Sequence, residues 1–175
     1  MKKVIGFIII FVMAVSAFSF NDPGKIDINW ISIQELNEMY NKKPKPILLD
    51  VYTDWCGWCK HMDKTTYKDE KLVKYINEHY YAVKLNSESS DSIFFNNKTY
   101  GYKKKYKSNE LAEYLLYGQM SFPTTVFLPT IDAKPAPLPG FQSAKDMEAT
   151  LKFFAEGFHK TKTFVEYNQG LKKEW

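Results

Sequence analysis

Apolar and polar positions follow two rhythms along the chain, a period of two and a period near 3.6, and they take turns. "KIDINWI" alternates Ile26, Ile28 and Trp30 with polar neighbours, which predicts an edge strand. "SIQE", Ser32 to Glu35, has the form of a capping box and opens a short helix through "IQELNEMY"; "NKKPKP" breaks it. "PILLDVYT" is a continuous apolar run, as expected of a central strand buried on both faces, except that it carries Asp50. "CGWCKHMDKTTY" begins a helix, and "DEKLVKYINEHY" continues or restarts it with Asp69 as a candidate cap and Leu72, Val73, Ile76 and Tyr80 at helical spacing. "YAVKLN" predicts a second strand. "IFFNNKTYGY" reads as a hairpin about Asn96-Asn97, and "SNELAEYLLYG" as a short helix ending in glycine. "SFPTTVFLP" predicts a third strand from Pro123, "TIDAKPAPLPGF" a turn and last strand, and "SAKDMEATLKFFAEGF" a helix opened by Ser143. The tail from Thr161 is expected to be helical and to dock by Phe164, Val165 and Tyr167. Strands alternating with helices mean an α/β domain. No internal repeat or long linker divides it.

Composition narrows the class. The 175 residues are 45% hydrophobic and 17% aromatic, enough for one globular core. All 24 basic residues are lysine, and the formal charge is only +4. Bidentate reading of guanine or phosphate favours arginine, so a nucleic-acid binder is disfavoured. The densest basic run, "KKKYK" from Lys103 to Lys107, reads as a solvated loop. At the N-terminus two lysines precede an apolar run from Val4 to Val15 and then small residues, the order of a signal peptide spanning residues 1–19. An uncleaved anchor is the alternative, and no cysteine offers a lipid attachment site there. The chain therefore reads as exported to a bacterial periplasm, with a single mature domain over 20–175, where disulfide chemistry is relevant.

Both cysteines of the chain lie in "DWCGWCK", as Cys56 and Cys59. A c-type haem site needs a histidine where Lys60 stands. A zinc site needs four ligands, and His61, His79 and His159 show no ligand spacing; a Cys-Cys-His61 copper clip is the surviving metal reading. A staple across two residues closes almost no loop and removes little chain entropy. A dithiol that cycles remains. A strand ending before Cys56 and a helix starting there put its sulfur at a helix N-terminus, where a thiolate is stabilised. Cys59, one turn on, faces the protein and must lose a proton before it attacks. Asp50 on the adjoining strand is the natural acceptor, with a pKa raised by burial. A strand-end residue bonded to backbone is the plain alternative for Asp50.

These residues resemble the thioredoxin family. "ILLDVYTDWCGWCK" is similar to its strand-then-W-C-G-x-C-K signature, "AVKLN" to its second central strand, and "SFPTTVFL" to its cis-proline strand. The continuation "WCKHMDKTTY" resembles exported thioredoxin-like proteins and the C-terminal periplasmic domain of the membrane thiol–disulfide interchange protein. The resemblance covers about residues 45–155. It implies a thioredoxin fold, a central mixed sheet flanked by helices, with Lys84 paired to Asp50 and Pro123 cis. It also implies a thiol–disulfide oxidoreductase in which Cys56 is the nucleophile and Cys59 resolves. Trp55, Gly57, Trp58, Phe122 and Pro123 are the expected substrate-binding residues.

Two features depart from thioredoxin. Trp58 stands where thioredoxin has proline. An insertion of about twenty residues, within 87–118, brings Phe94, Phe95, Tyr100, Tyr102, Tyr106, Tyr114 and Tyr117, either as a satellite core or as a docking surface. A helical extension is expected over about 157–175. No prosthetic group and no metal is needed beyond the Cys56–Cys59 disulfide. The expected partners are protein thiols and disulfides and a membrane thiol–disulfide reductase as electron donor, with the protein itself a monomer. The rival readings are a disulfide-donating oxidase or isomerase and a copper-handling dithiol module.

Overall fold

The computed structural model describes residues 26–175. The signal-peptide and anchor readings concern residues 1–19 and lie outside the described residues. Among the described residues no helix is long and apolar enough to cross a membrane.

The elements run in the predicted order. They are β1 (Trp30–Ile31), α1 (Ile33–Lys42), β2 (Ile47–Tyr52), α2 (Gly57–Lys64), α3 (Glu70–His79) and β3 (Tyr81–Asn86). The insertion follows as β4 (Ile93–Phe95), β5 (Lys98–Tyr100), β6 (Tyr102–Lys103), β7 (Ser108–Asn109) and α4 (Glu110–Leu115). Then come β8 (Thr124–Leu128), β9 (Ala136–Pro139), α5 (Ala144–Ala155) and α6 (Phe164–Gly170). Local chemistry sets the boundaries. Ser32 caps α1 in a full capping box with Glu35. Asp69 accepts the N–H groups of Lys71 and Leu72, so α3 restarts after a short 3-10 turn at Thr66–Lys68 instead of continuing α2. Ser143 caps α5.

The main sheet has the order β1-β3-β2-β8-β9. β1, β3 and β2 run parallel, β8 pairs antiparallel with β2, and β9 pairs antiparallel with β8. β2 is therefore central, which is why its apolar run shows no alternation. Ile47, Leu49 and Val51 enter one core with Leu36 of α1, Val83, Leu85 and Val126. Leu48 enters the other with Met62, Leu72, Val73, Ile76, Phe127, Met147 and Leu151. The domain is thus three-layered, with α2, α3 and α5 on one face of the sheet. α1 and the insertion cover the other.

Three expectations need correction. β1 is a two-residue bridge and Ile26 is exposed, so the alternation in "KIDINWI" overstates the strand. The Lys103–Lys107 run is a solvated turn over 104–107, as expected, but Lys103 belongs to the β6–β7 hairpin and is tied to Glu110 and Glu113. In the tail, Tyr167 is buried, whereas Phe164 is partly exposed and Val165 mostly so. A seven-residue helix lying on α5 has room to bury only one narrow stripe.

The insertion is not a satellite core. Phe95 and Tyr100 join the same core as β2, with Leu111, Ala112, Leu115 and Leu116. Asn96 and Asn97, both at positive φ, turn β4 into β5 as a two-residue hairpin loop. Phe94, Tyr106, Tyr114 and Tyr117 point outward.

Candidate active site

β2 ends at Tyr52, and the chain turns so that the Thr53 carbonyl accepts the Cys56 N–H. Cys56 is the N-cap of α2. Its sulfur accepts the Cys59 N–H at 3.0 Å and is disulfide-bonded to Cys59, with Cα atoms 5.3 Å apart. Sequence reasoning expected Cys56 accessible and Cys59 buried; both are 4% exposed. In the oxidised pair the Cys56 sulfur is turned inward by its bond to Cys59 and by the N–H it accepts. Exposure belongs instead to the neighbouring indoles, Trp55 at 67% and Trp58 at 62%.

A charged cluster joins β2 and β3 to α2, the helix that carries the pair. Asp50 is 2% exposed on β2, opposite Lys84 of β3 and Thr125 of β8. Lys84 Nζ lies 3.1 Å from Asp50 Oδ2 and also donates to Asp63 Oδ1 on α2. The ammonium sits over the rings of Trp30, Tyr52 and Tyr67 at 5.0–6.0 Å. Asp50 Oδ1 has no hydrogen-bond partner. Burial pushes the Asp50 carboxyl up to about 6, with Lys84 opposing and Asp63 adding to the rise. Burial pulls Lys84 down, but the two carboxylates outweigh it and hold the ammonium above its ordinary range. The buried Tyr67 hydroxyl bridges toward Thr125 Oγ1 at 3.3 Å.

Sequence reasoning missed Asp63 and Tyr67. Asp63 lies four residues after Cys59, so a helix puts it on the same face, and Tyr67 follows one turn later. That spacing was the available signal.

Aromatic side chains frame the sulfurs. Trp55 meets Phe122 edge-on at 6.1 Å, and its Nε1 donates to Glu88. Trp58, His61 and Phe141 form a second cluster with centroids 5.1–5.6 Å apart. The Phe122–Pro123 bond is cis, and the Pro123 carbonyl accepts the Gly140 N–H. A Cβ at Gly57 would meet no other atom, so the position faces open space at the start of α2. His61 packs against rings, and no group of three or more metal-ligating side chains occurs among the described residues. The structure pairs Asp50 with Lys84 and joins Lys84 to Asp63 on α2, the helix that begins at the Cys56–Cys59 disulfide, and it sets Trp55 against Phe122 next to Pro123.

A family profile described as a thioredoxin-like domain matches residues 33–155. The chain belongs to the thioredoxin-like family. This member is 41% identical over 44 residues to the thiol:disulfide interchange protein DsbD of Escherichia coli, a quarter of this chain but 8% of that protein's length. Among solved structures it superimposes on a thioredoxin-fold protein from Helicobacter pylori with a TM-score of 0.52 and 23% identity. That match covers 71% of this chain and 78% of the other. The DsbH oxidoreductase also gives 0.52, at 20% identity, covering 74% and 85%. Together with the Cys56–Cys59 disulfide, the family makes this thioredoxin-like protein a disulfide oxidoreductase in general class.

Proposed function

We propose that this protein is an exported thiol–disulfide reductase or electron relay acting on protein disulfides. The observation that carries the reading is the Cys56–Cys59 pair at the start of α2, with the half-paired Asp50 buried on the adjoining strand.

In the reduced protein the Cys56 thiolate attacks a substrate disulfide. The Cys56–substrate bond forms, the substrate's own S–S bond breaks, and the released thiolate takes up a proton. Cys59 then gives its proton to Asp50, and its thiolate attacks the Cys56 sulfur. A Cys56–Cys59 disulfide forms and the second substrate sulfur leaves reduced. Two electrons have passed from the pair to the substrate. A carboxyl group near pKa 6 is matched to that proton transfer at neutral pH, and Lys84 keeps it from rising further. Phe122, before the cis proline, is apolar and adds no hydrogen bond to a Cys56 thiolate, which favours the reducing direction. Trp55, Trp58, Gly57, Phe122 and Pro123 receive the substrate chain. This domain carries no second cysteine pair and no nucleotide-binding glycine motif, so the electrons must be returned from outside the domain. The N-terminal pattern supports export to a periplasm, with a membrane dithiol reductase as donor and the protein acting as a monomer.

Equilibration with glutathione tests the direction. The expected potential is more negative than about −200 mV, whereas a value near about −120 mV would make the protein a disulfide donor. In parallel, Cys59→Ser should accumulate mixed disulfides and Cys56→Ser should not; equal trapping would reverse the two roles.

A further inference from the structure

The insertion is tethered at both ends to the surroundings of the disulfide. At its start, Ser87 accepts the Asn109 N–H from the foot of β7, and Glu88 beside it accepts from Trp55, the neighbour of Cys56. At its end, Gly118 to Ser121 lead directly into Phe122 and the cis Pro123. Between these tethers the β6–β7 hairpin projects, its turn closed by Lys107 at positive φ. Within it Lys103 is neutralised by Glu110 and Glu113, and Glu113 also accepts from Ser108. Lys104, Lys105 and Lys107 are exposed and pair with no carboxylate among the described residues. Tyr106, between them, is 61% exposed. At the hairpin's foot lies a groove of about 330 Å³ lined by Tyr106, Ser108, Glu113, Gly118 and Met120. Tyr117, 57% exposed, stands beside that lining in the chain.

We propose that this hairpin and groove form a docking surface for an acidic segment of the disulfide-bearing partner protein, with an apolar side chain seated between Tyr106 and Met120. The proposal rests on the oxidoreductase reading and names the class of substrate it serves. Charge complementarity sets the sign: three lysines without a carboxylate partner among the described residues flank Tyr106 in the turn, Lys105 lying over its ring, and the one carboxylate lining the groove is already held by Lys103 and Ser108. Continuity sets the place, because Met120 is two residues from Phe122 and the cis-proline strand. Concavity favours a chain segment over a bilayer surface, since the hairpin turn offers a single aromatic residue for insertion. Asp54 and Glu88 flank Trp55, so the acidic segment belongs several residues away from the partner's cysteine and not beside it.

The test uses the protein without its first 19 residues, dithiothreitol as electron donor, and two synthetic disulfide-linked peptides. One carries a run of Asp and Glu with a leucine several residues from its cysteine; the other carries Asn and Gln in their place. The acidic peptide should show a KM lower by about 5- to 10-fold, as expected of a few exposed ion pairs acting together. The ratio should collapse toward one at high salt and in Lys104→Gln/Lys105→Gln/Lys107→Gln. Tyr106→Ala should raise KM for the acidic peptide more than kcat falls. Equal KM values for the two peptides, with both turned over, would overturn the docking surface and leave the oxidoreductase reading standing. Failure to reduce either peptide or hydroxyethyl disulfide would overturn that reading itself. Lysine-dependent binding to phosphatidylglycerol vesicles, without peptide discrimination, would assign the hairpin to a membrane surface instead.

Discussion

Two carboxylates are buried among the described residues, and the sheet and the tail treat them in opposite ways. Glu148 of α5 has no exposed side chain, yet both of its oxygens are hydrogen-bonded, by three donors in all. Its Oε1 accepts from Lys152 Nζ and the Glu174 N–H, and its Oε2 from the N–H groups of Glu174 and Trp175. Burial alone would raise its pKa, but these donors outweigh it and hold the group below the usual carboxylate range. Asp50 has one cation, shared with Asp63, and an oxygen with no partner, and it is raised to about 6. The difference separates a fastener from a reagent. A carboxylate with both oxygens bonded holds the chain and has no use for a proton. One left half-paired in a buried site stores the capacity to take a proton.

Exchanging each acid for its amide should break the comparison most visibly. Asp50→Asn should slow resolution by Cys59 about 100-fold, the low end of general-base contributions, measured as decay of a trapped mixed disulfide in stopped flow. Glu148→Gln should leave that rate alone and cost about 1–3 kcal/mol of stability in urea unfolding, because the charge facing Lys152 is lost and one accepting oxygen becomes an amide group that faces N–H donors. If Glu148→Gln were the slower enzyme, the assignment of roles would be wrong.

The two acids should also depend on pH with opposite sign. The folded Asp50 pKa lies above its unfolded value of 3.8, so the native state binds more protons between about pH 4 and 6 and loses stability as pH rises through that window. Asp50→Asn should remove that fall and gain up to about 3 kcal/mol at pH 7. The folded Glu148 pKa lies below 4.5, so its contribution is present above that value and is lost as pH falls through the folded pKa. Chemical denaturation from pH 3 to 8 reads both.

Smaller changes should come from the neighbours of Asp50. Lys84→Met removes the cation that favours the carboxylate, so the pH midpoint of the resolution step should move upward. Asp63→Asn removes a like charge and should move the midpoint slightly downward. Identical pH profiles for all three proteins would mean that this cluster does not govern the step.

The contrast also marks what was legible in the sequence. Asp50 stands out because it interrupts an apolar strand run, and a charge in that context asks for a reason. Glu148 gives no such signal: in "KDMEATLK" a glutamate four before a lysine is an ordinary exposed helical pair. Its burial depends on backbone N–H groups 26 and 27 residues downstream, and a local pattern carries no record of those. The caps at Ser32, Asp69 and Ser143 and the Asn96–Asn97 turn were readable because their chemistry is complete within four residues. The β6–β7 hairpin was not, since its strands are two residues each and its turn is all lysine and tyrosine. Sequence position placed Phe164, Val165 and Tyr167 in the docking face of the tail; Tyr167 is buried as expected, and only the packing on α5 shows that the other two are left largely outside.

The centrality of β2 has a consequence for how the sheet assembles. Both faces of the strand are apolar, so hydrophobicity alone scarcely distinguishes its correct alignment with β3 from one displaced by a residue. Asp50 does distinguish them. In the native alignment it lies opposite Lys84; a single-residue slip would swing it to the face occupied by Leu111 and Leu115, where no cation waits. Asp50→Leu should therefore melt higher yet show heterogeneous amide-exchange protection along β2, as competing alignments become tolerable. The residue that burdens the folded state is also a keyed notch, ensuring that the strand carrying the redox turn can be threaded in one way.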